Sequence, residues 1–346
     1  MEQVIPAGTK FAFTTRRIDR SEICNIKEDY SRARSGDLVL AEIVRIGSHR
    51  RVQLPSGRNS ELHVGDHVVL CCGSRYAPDQ FEGIAELTQE LSDMLAAGGI
   101  IGRMTAKHEA IKDPTQLRPI GLLADAAGRT INIERYALPR IPYGRRVPVI
   151  AVTGAAMNSG KTTAAFSLVH GLRAGGFTVA AIKVTGTGAF GDLNAFKDAG
   201  ASMVSDFTDA GMASTYQQPV AGIIDAAESL LAHAVDGGAE VIVVELGDGV
   251  LQNEAAGVLR HPSARQWIHG IIFAAPDALS GISGVDFLKR SGLPVVGVSG
   301  LLTRSPLLCS EFRGHESLPL FDKASLSSAD TAFGLVGDLL GLGAVA

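Results

Sequence analysis

Aromatic residues are scarce, 5% of 346 with one tryptophan, which argues against a large aromatic-lined cavity. Neither sign of charge dominates: 32 Lys and Arg against 36 Asp and Glu leave −4. That balance lacks the basic excess with which a dedicated nucleic-acid binder neutralises phosphates. No apolar run reaches the roughly 18 residues of a membrane span. The start, Met1-Glu-Gln-Val-Ile-Pro6, lacks the basic-then-apolar order of a secretory signal. Only four cysteines occur, Cys24, Cys71, Cys72 and Cys309, with no Cys-x-x-Cys spacing. The adjacent pair, placed on a strand, points to opposite faces, which defeats a shared metal. They read as small buried hydrophobes of a reduced, soluble, cytoplasmic protein. Internal repeats and low-complexity tracts are also missing. What is present is 46% hydrophobic and 20% charged residues, enough for an ordinary core, and 40 glycines, which point to close backbone approaches.

The two halves differ in pattern. Over residues 10–83, short alternating segments (37–46, 51–54 and 67–72) are separated by turns such as Pro55-Ser-Gly57 and Gly65-Asp66. This spacing predicts a small, mostly β, barrel-like domain over 1–84. Leu87, Leu91, Met94 and Leu95 stand at helical spacing, predicting a helix over 85–97 within a mixed connector, 85–146. After Arg146, long Val/Ile-rich strands (147–153, 178–184, 240–245, 270–275, 294–299) alternate with helical segments (161–174, 193–203, 220–235, 281–290). Such alternation specifies an α/β domain over 147–346, a parallel sheet covered on both faces. Ligands of such sheets bind at the carboxyl ends of the strands.

The sharpest motif lies at such an end: Val149-Ile-Ala-Val-Thr-Gly-Ala-Ala-Met-Asn-Ser-Gly-Lys-Thr-Thr163. An apolar strand runs into Gly154, a loop follows, and Gly160-Lys161-Thr162 opens a helix. Backbone amides of such a loop wrap a phosphate, the helix start adds positive field, and the lysine spans the outer phosphates. The Thr162 hydroxyl is placed to ligate Mg²⁺. Nucleotide contacts are therefore expected from Gly154, Asn158, Ser159, Gly160, Lys161, Thr162 and Thr163. The usual first glycine, five positions before Gly160, is replaced by Ala155, with Gly154 one residue earlier.

Residues 153–162 resemble the loop of dethiobiotin synthetase and its P-loop relatives, Thr-Gly-Thr-Asp-x-x-x-Gly-Lys-Thr. The second strand ends Lys183-Val-Thr-Gly186, where that family has Lys-Pro-Val-x-x-Gly. Gly191-Asp192 follows, where the family has a metal-binding aspartate. A later strand ends Val243-Val-Glu-Leu-Gly-Asp-Gly249, where the family has Val-Glu-Gly-Ala-Gly-Gly. The resemblance covers about 147–300. The GTP-binding protein of molybdopterin-guanine-dinucleotide assembly shares a similar loop and strand end, so the motifs are specific to the superfamily. Two departures separate this chain from the synthetase. Ala156 replaces the loop aspartate, and Val298-Ser299-Gly300 stands where the synthetase has a base-reading Asn, so its adenine preference does not carry over.

Around the loop, Glu245 ends an apolar strand where it can hold Mg²⁺, or else cap a helix or face solvent. Lys183 either steadies charge on a phosphate or substrate carboxylate, or reaches into water. Asp192 either completes the metal site or caps a helix starting at Leu193. Asp248 reads as a supporting acid or a turn residue. The polar segment 206–216 reads as a binding segment. His170 reads as structural; the basic residues His49, Arg50, Arg51, Arg58 and Arg75 read as a substrate or subunit contact with the neighbouring P-loop domain, ahead of a merely solvated face or a nucleic-acid contact.

The resulting expectation is a Mg²⁺–ATP-dependent enzyme, with GTP admitted, that activates or phosphorylates a small, carboxylate-bearing metabolite. It is ligase-like, kinase-like or an NTP hydrolase. Lys161, Lys183 and Glu245 form the catalytic set, and Thr162, Asp192 and Glu245 the metal set. The absence of an Asn-Lys-x-Asp motif leans towards ATP. A nucleotide-dependent GTPase or ATPase switch in cofactor assembly or delivery is the competing expectation. The expected partners are a nucleotide and a small-molecule substrate, neither membrane nor nucleic acid, with a homodimer left open.

Overall fold

The computed structural model describes residues 5–144 and 147–339, so the outermost N-terminal residues and the Arg146 boundary lie outside the described residues. The chain forms two compact units. The first comprises the chain up to Leu138 together with Gly186–Gly191 and Phe207–Gln217, and the second comprises the remainder.

The first unit is built on a nine-stranded sheet. Leu38–Arg45 pairs antiparallel with His67–Cys72 on one side and with Thr115–Ala124 on the other. Thr115–Ala124 pairs with Ser92–Ala96, and Ser92–Ala96 with Ile100–Lys107. Ile100–Lys107 returns to His67–Cys72 in parallel register, Ile100 opposite Cys71, so these five strands form a closed circuit of pairings. Alternation decides which core each residue enters. Leu38, Leu40, Val69 and Cys71 lie in one cluster, while Val39, Ala41, Val68, Leu70 and Cys72 lie in another. The adjacent cysteines thus point to opposite faces. Burial pushes both thiols up to about 12, leaving them packing residues rather than nucleophiles. Cys24, in contrast, is exposed.

The expected helix over 85–97 is not formed. Ser92–Ala96 is a strand, turned by Gly98 and Gly99 into its antiparallel partner Ile100–Lys107. Met94 and Leu95 enter different clusters, as strand neighbours do and helix neighbours on one stripe do not. The segment expected as a mixed connector therefore supplies strands to the N-terminal sheet.

The second unit holds a six-stranded, wholly parallel sheet. Its spatial order is Met203–Asp206, Val179–Thr185, Val241–Leu246, Val149–Gly154, Gly270–Ala274, Val295–Ser299. Ile150 and Val152 pack with Ala164, Leu168 and Leu172 of helix Lys161–Ala174. Val149 and Ala151, on the other face, are also fully buried, the signature of a sheet covered on both sides. The helix expected over 193–203 runs instead from Phe190 to Asp198. Met203–Asp206 is a four-residue edge strand, too short and polar to register as a period. Among the described residues, no helix is long and apolar enough to cross a membrane.

Candidate functional site

Strand Val149–Gly154 lies at the middle of the parallel sheet, beside the strand that carries Glu245, with Val152 opposite Glu245. On the far side of that strand, Lys183 is also opposite Glu245. Three sequence-distant motifs thereby reach one sheet edge.

The loop between strand and helix is clamped by backbone contacts. Ala155 N donates to Ala274 O at 3.0 Å, Val250 N to Gly154 O at 3.0 Å, and Leu301 N to Ser159 O at 3.1 Å. Gly154 must be glycine, because a Cβ would stand 2.5 Å from Ser159 Oγ and 2.6 Å from Ala274 O. Asn158 and Gly160 adopt left-handed backbone, φ 61° and 101°. Helix Lys161–Ala174 starts immediately, and its first amides have no intrahelical acceptor, leaving donors for an anion.

Lys161 is buried, and its Nζ reaches back to donate to Ala156 O at 2.7 Å. Burial lowers its pKa against the pull of Glu245 and Asp248. Thr162 Oγ1 lies 3.0 Å from Glu245 Oε1 and 3.2 Å from Asp192 Oδ1, so its single proton can go to either carboxylate. Lys183 Nζ pairs with Asp192 Oδ2 and stands 4.0 Å from Glu245 Oε1. Burial works against the Lys183 charge, but Asp192 and Glu245 outweigh it and raise its pKa. Glu245 is 2% exposed; burial pushes its carboxyl up to about 7, with Lys183 pulling the other way. Its Oε2 is buried and has no hydrogen-bond partner among the described residues.

The structure thus brings Lys161, Thr162, Lys183, Asp192 and Glu245 together. Asp192 lies within the first turn of its helix rather than capping it, because the helix begins at Phe190. Lys183 does not reach into water, being held between two acids. Thr163 is exposed and faces away from this cluster, onto a separate pocket. Asp248 takes a left-handed turn (φ 62°) and acts on both lysines electrostatically. The pocket beside Thr163 escaped sequence reasoning. It is lined also by Ser299, Gly300, Arg304, Asp322 and Lys323, and no motif marks the last two, some 160 positions beyond the loop. His170 is exposed. In the N-terminal unit, Arg51 pairs with Glu61 across a hairpin, and Arg75 is buried against Leu95 O and Gln80.

Among the described residues no group of three or more His, Cys, Asp or Glu could hold a metal by itself. Two carboxylates and a hydroxyl nevertheless suit Mg²⁺, which takes its remaining ligands from phosphate and water. The unsatisfied Glu245 Oε2 is the atom such an ion or its water would satisfy.

No family profile and no curated protein matches the chain. Solved structures similar to it include the kinase domain of the Escherichia coli tyrosine kinase ETK, with TM-score 0.34 and 13% identity over 44% of this chain and 66% of that one. The Signal Recognition Particle 54 kDa protein of Aeropyrum pernix K1, in complex with GDP, has TM-score 0.38 and 16% identity over 59% of this chain and 48% of that one. MinD of Pyrococcus horikoshii OT3, complexed with Mg-ADP, has TM-score 0.36 and 15% identity over 58% of this chain and 100% of that one. The chain thus spans less than two thirds of the first two. Likeness at this level decides neither family nor activity.

Proposed function

We propose that the second unit binds a Mg²⁺–nucleoside triphosphate at the loop of residues 154–163 and transfers or releases its terminal phosphoryl group. The supporting observation is the convergence of Lys161, Thr162, Lys183, Asp192 and Glu245 beside a clamped strand–loop–helix turn, with one carboxylate oxygen of Glu245 buried and unsatisfied. An opposed set of this kind is too costly to bury for stability alone. Each charge needs a partner, and removing hydrophobic alternatives from a core gains nothing in packing.

In this reading the loop amides and Lys161 hold the phosphates, with Gly154, Asn158, Ser159 and Gly160 shaping the cradle and Thr163 facing the adjoining pocket. Thr162, Asp192 and Glu245 would hold Mg²⁺, which when bound supplies neutralisation of phosphate charge. Lys183, oriented by Asp192, adds a second cation for charge developing on the transferred group. The acceptor class, a small carboxylate-bearing metabolite in a ligase- or kinase-like reaction, comes from the resemblance to the synthetase family. Residues 147–346 would be the nucleotide-binding part, and the closed strand circuit the small barrel expected of the N-terminal part.

The decisive measurement is nucleotide-dependent stabilisation. A nucleotide at 100 times its Kd should stabilise the wild-type protein by about 2.7 kcal/mol, and Lys161→Ala should lose that gain while unfolding normally without nucleotide. Equal stabilisation of wild type and variant would remove the phosphate-loop assignment.

A further inference from the structure

Between Lys183 and Asp192 the chain leaves strand Val179–Thr185 and re-enters as helix Phe190–Asp198. Residues 186–191 belong to the N-terminal unit, so the division of the chain falls inside the first turn of that helix, after Gly191. Lys183 and Asp192, two members of the charge cluster, thus flank a segment that the N-terminal unit holds.

That segment is held along its length. Gly186 N donates to Thr215 Oγ1 at 2.9 Å and Thr215 N to Gly186 O at 3.0 Å. Thr187 bridges Ser214, and Gly188 N donates to Ala213 O at 3.0 Å. Ala213 is itself buried in an N-terminal core cluster. A Cβ on Gly188 would stand 2.7 Å from Thr208 Cγ2 and 2.9 Å from Thr14 Cγ2, so the backbone there is closely packed. Phe190 closes the segment. Its ring meets that of Phe13 edge-on, with centroids 6.2 Å apart, and its N–H donates to Gln53 Oε1 at 2.9 Å. Gln53 is anchored in turn: it ends strand Arg51–Gln53, and its own N–H donates to Ala97 O at 2.8 Å.

The first amides of a helix have no intrahelical acceptor, and a Ser, Thr, Asp or Asn just before the helix ordinarily supplies one. Here Gly188 and Ala189 precede Phe190, and neither side chain can accept. Gln53 does so instead, from 137 positions away. A helical turn has regular geometry, so fixing Phe190 also fixes the direction in which Asp192 leaves the same turn.

We infer that Gln53 is a positioning residue for phosphoryl transfer: acting through Phe190, it sets where the Asp192 carboxylate meets Lys183 and Thr162. The inference rests on the proposed function, which gives Asp192 to the metal, and it gives the N-terminal unit a part in the reaction.

The test is phosphate release from ATP and from GTP by the full chain, followed against Mg²⁺ concentration, for wild type, Gln53→Met, Gln53→Glu and Asp192→Asn. Met keeps the length of the side chain and removes the acceptor, whereas Glu keeps the acceptor. Gln53→Met should raise the Mg²⁺ concentration for half-maximal turnover at least ~10-fold, the scale of one lost hydrogen bond. Its nucleotide affinity in EDTA should be unchanged, and Gln53→Glu should restore the wild-type Mg²⁺ dependence. Phe13→Leu removes the ring contact to Phe190, should shift the Mg²⁺ dependence the same way, and decides the question if Gln53→Met does not fold. A merely structural role would lower the melting temperature and leave the Mg²⁺ dependence alone. That result, or a Gln53→Glu variant as impaired as Gln53→Met, would overturn the inference while Asp192→Asn still fails. Wild-type turnover by Asp192→Asn, or no phosphate release by the wild type, would instead remove the proposed role of Asp192, and the inference with it.

Discussion

Glu245 carries opposing demands. It sits on a central strand where burial pushes its carboxyl up to about 7, yet Thr162 and two lysines address it as a carboxylate. A buried acceptor without a partner costs about 1–3 kcal/mol, so Oε2 marks a place where stability is given up. If that oxygen serves Mg²⁺, Glu245→Gln should lower nucleotide turnover at least ~100-fold, as removal of one preorganised charge contact does in comparable sites. Nucleotide affinity in EDTA should be unchanged, and the nucleotide-free protein should unfold no more readily than wild type. Phosphate-release kinetics beside a binding titration separate the two effects; wild-type turnover would make Glu245 a packing residue.

At the scale of elements, a glycine packed against the loop does different work from one that faces open space. Gly300 has φ 100°, and a Cβ there would land on Ser159 O and stand 2.7 Å from Ala275 N. Gly176, just after the loop helix, has φ 90° but nothing within 4 Å of a Cβ. Gly176→Ala should therefore cost about 1–2 kcal/mol of backbone strain and leave nucleotide affinity alone. Gly300→Ala adds a clash with the loop itself, so its destabilisation should exceed that of Gly176→Ala and its nucleotide affinity should fall at least ~10-fold, the loss expected of one good contact. Denaturant unfolding followed by fluorescence of Trp267, which is buried in this unit, measures the first, and nucleotide titration the second. Element type was readable where the period was long, as in the helix Lys161–Ala174. It was misread over 85–97, where an apparent helical stripe is divided between two cores by strand pairing.

For the molecule as a whole, two units with separate cores imply separate responses to pH. The N-terminal unit contains His49, whose Nδ1 contacts Met94 O at 3.0 Å and whose Nε2 faces Arg75 at 3.4 Å. The first contact places the proton on Nδ1, and a second proton would meet the guanidinium. Burial, reinforced by Arg75, pushes its pKa down to about 4 from 6.5. The neutral ring is thus favoured in the fold, and the stabilisation is complete above about pH 6.5 and lost as pH falls towards 4. Between pH 7 and pH 5 the unit should lose about 2 kcal/mol. Hydrogen exchange at the Ser92–Ala96 and Ile100–Lys107 amides should report that loss, His49→Gln should flatten it, and Trp267 fluorescence should follow the other unit. An equally steep slope in His49→Gln would assign the pH response to another group.

The sequence by itself determined the strand–loop–helix turn that ends in Lys161, five of the six parallel strands, and the identity of the five charged and hydroxyl residues that gather around that loop. These are local signals: an apolar run, a glycine where no Cβ fits, a strand ending in Lys or Glu. Domain boundaries were not local. Gly186–Gly191 and Phe207–Gln217 belong with the N-terminal unit, though they lie between strands of the other, and Ala213 is buried in an N-terminal core cluster. The short strand Met203–Asp206 needed a partner to exist at all. Only tertiary structure decided that Lys183 is pinned by Asp192 rather than solvated, because the distance between them depends on where a helix begins. Likewise Asp322 reaches the pocket wall only through a bridge from Val298 to Leu320, a pairing of backbone that no side-chain pattern encodes.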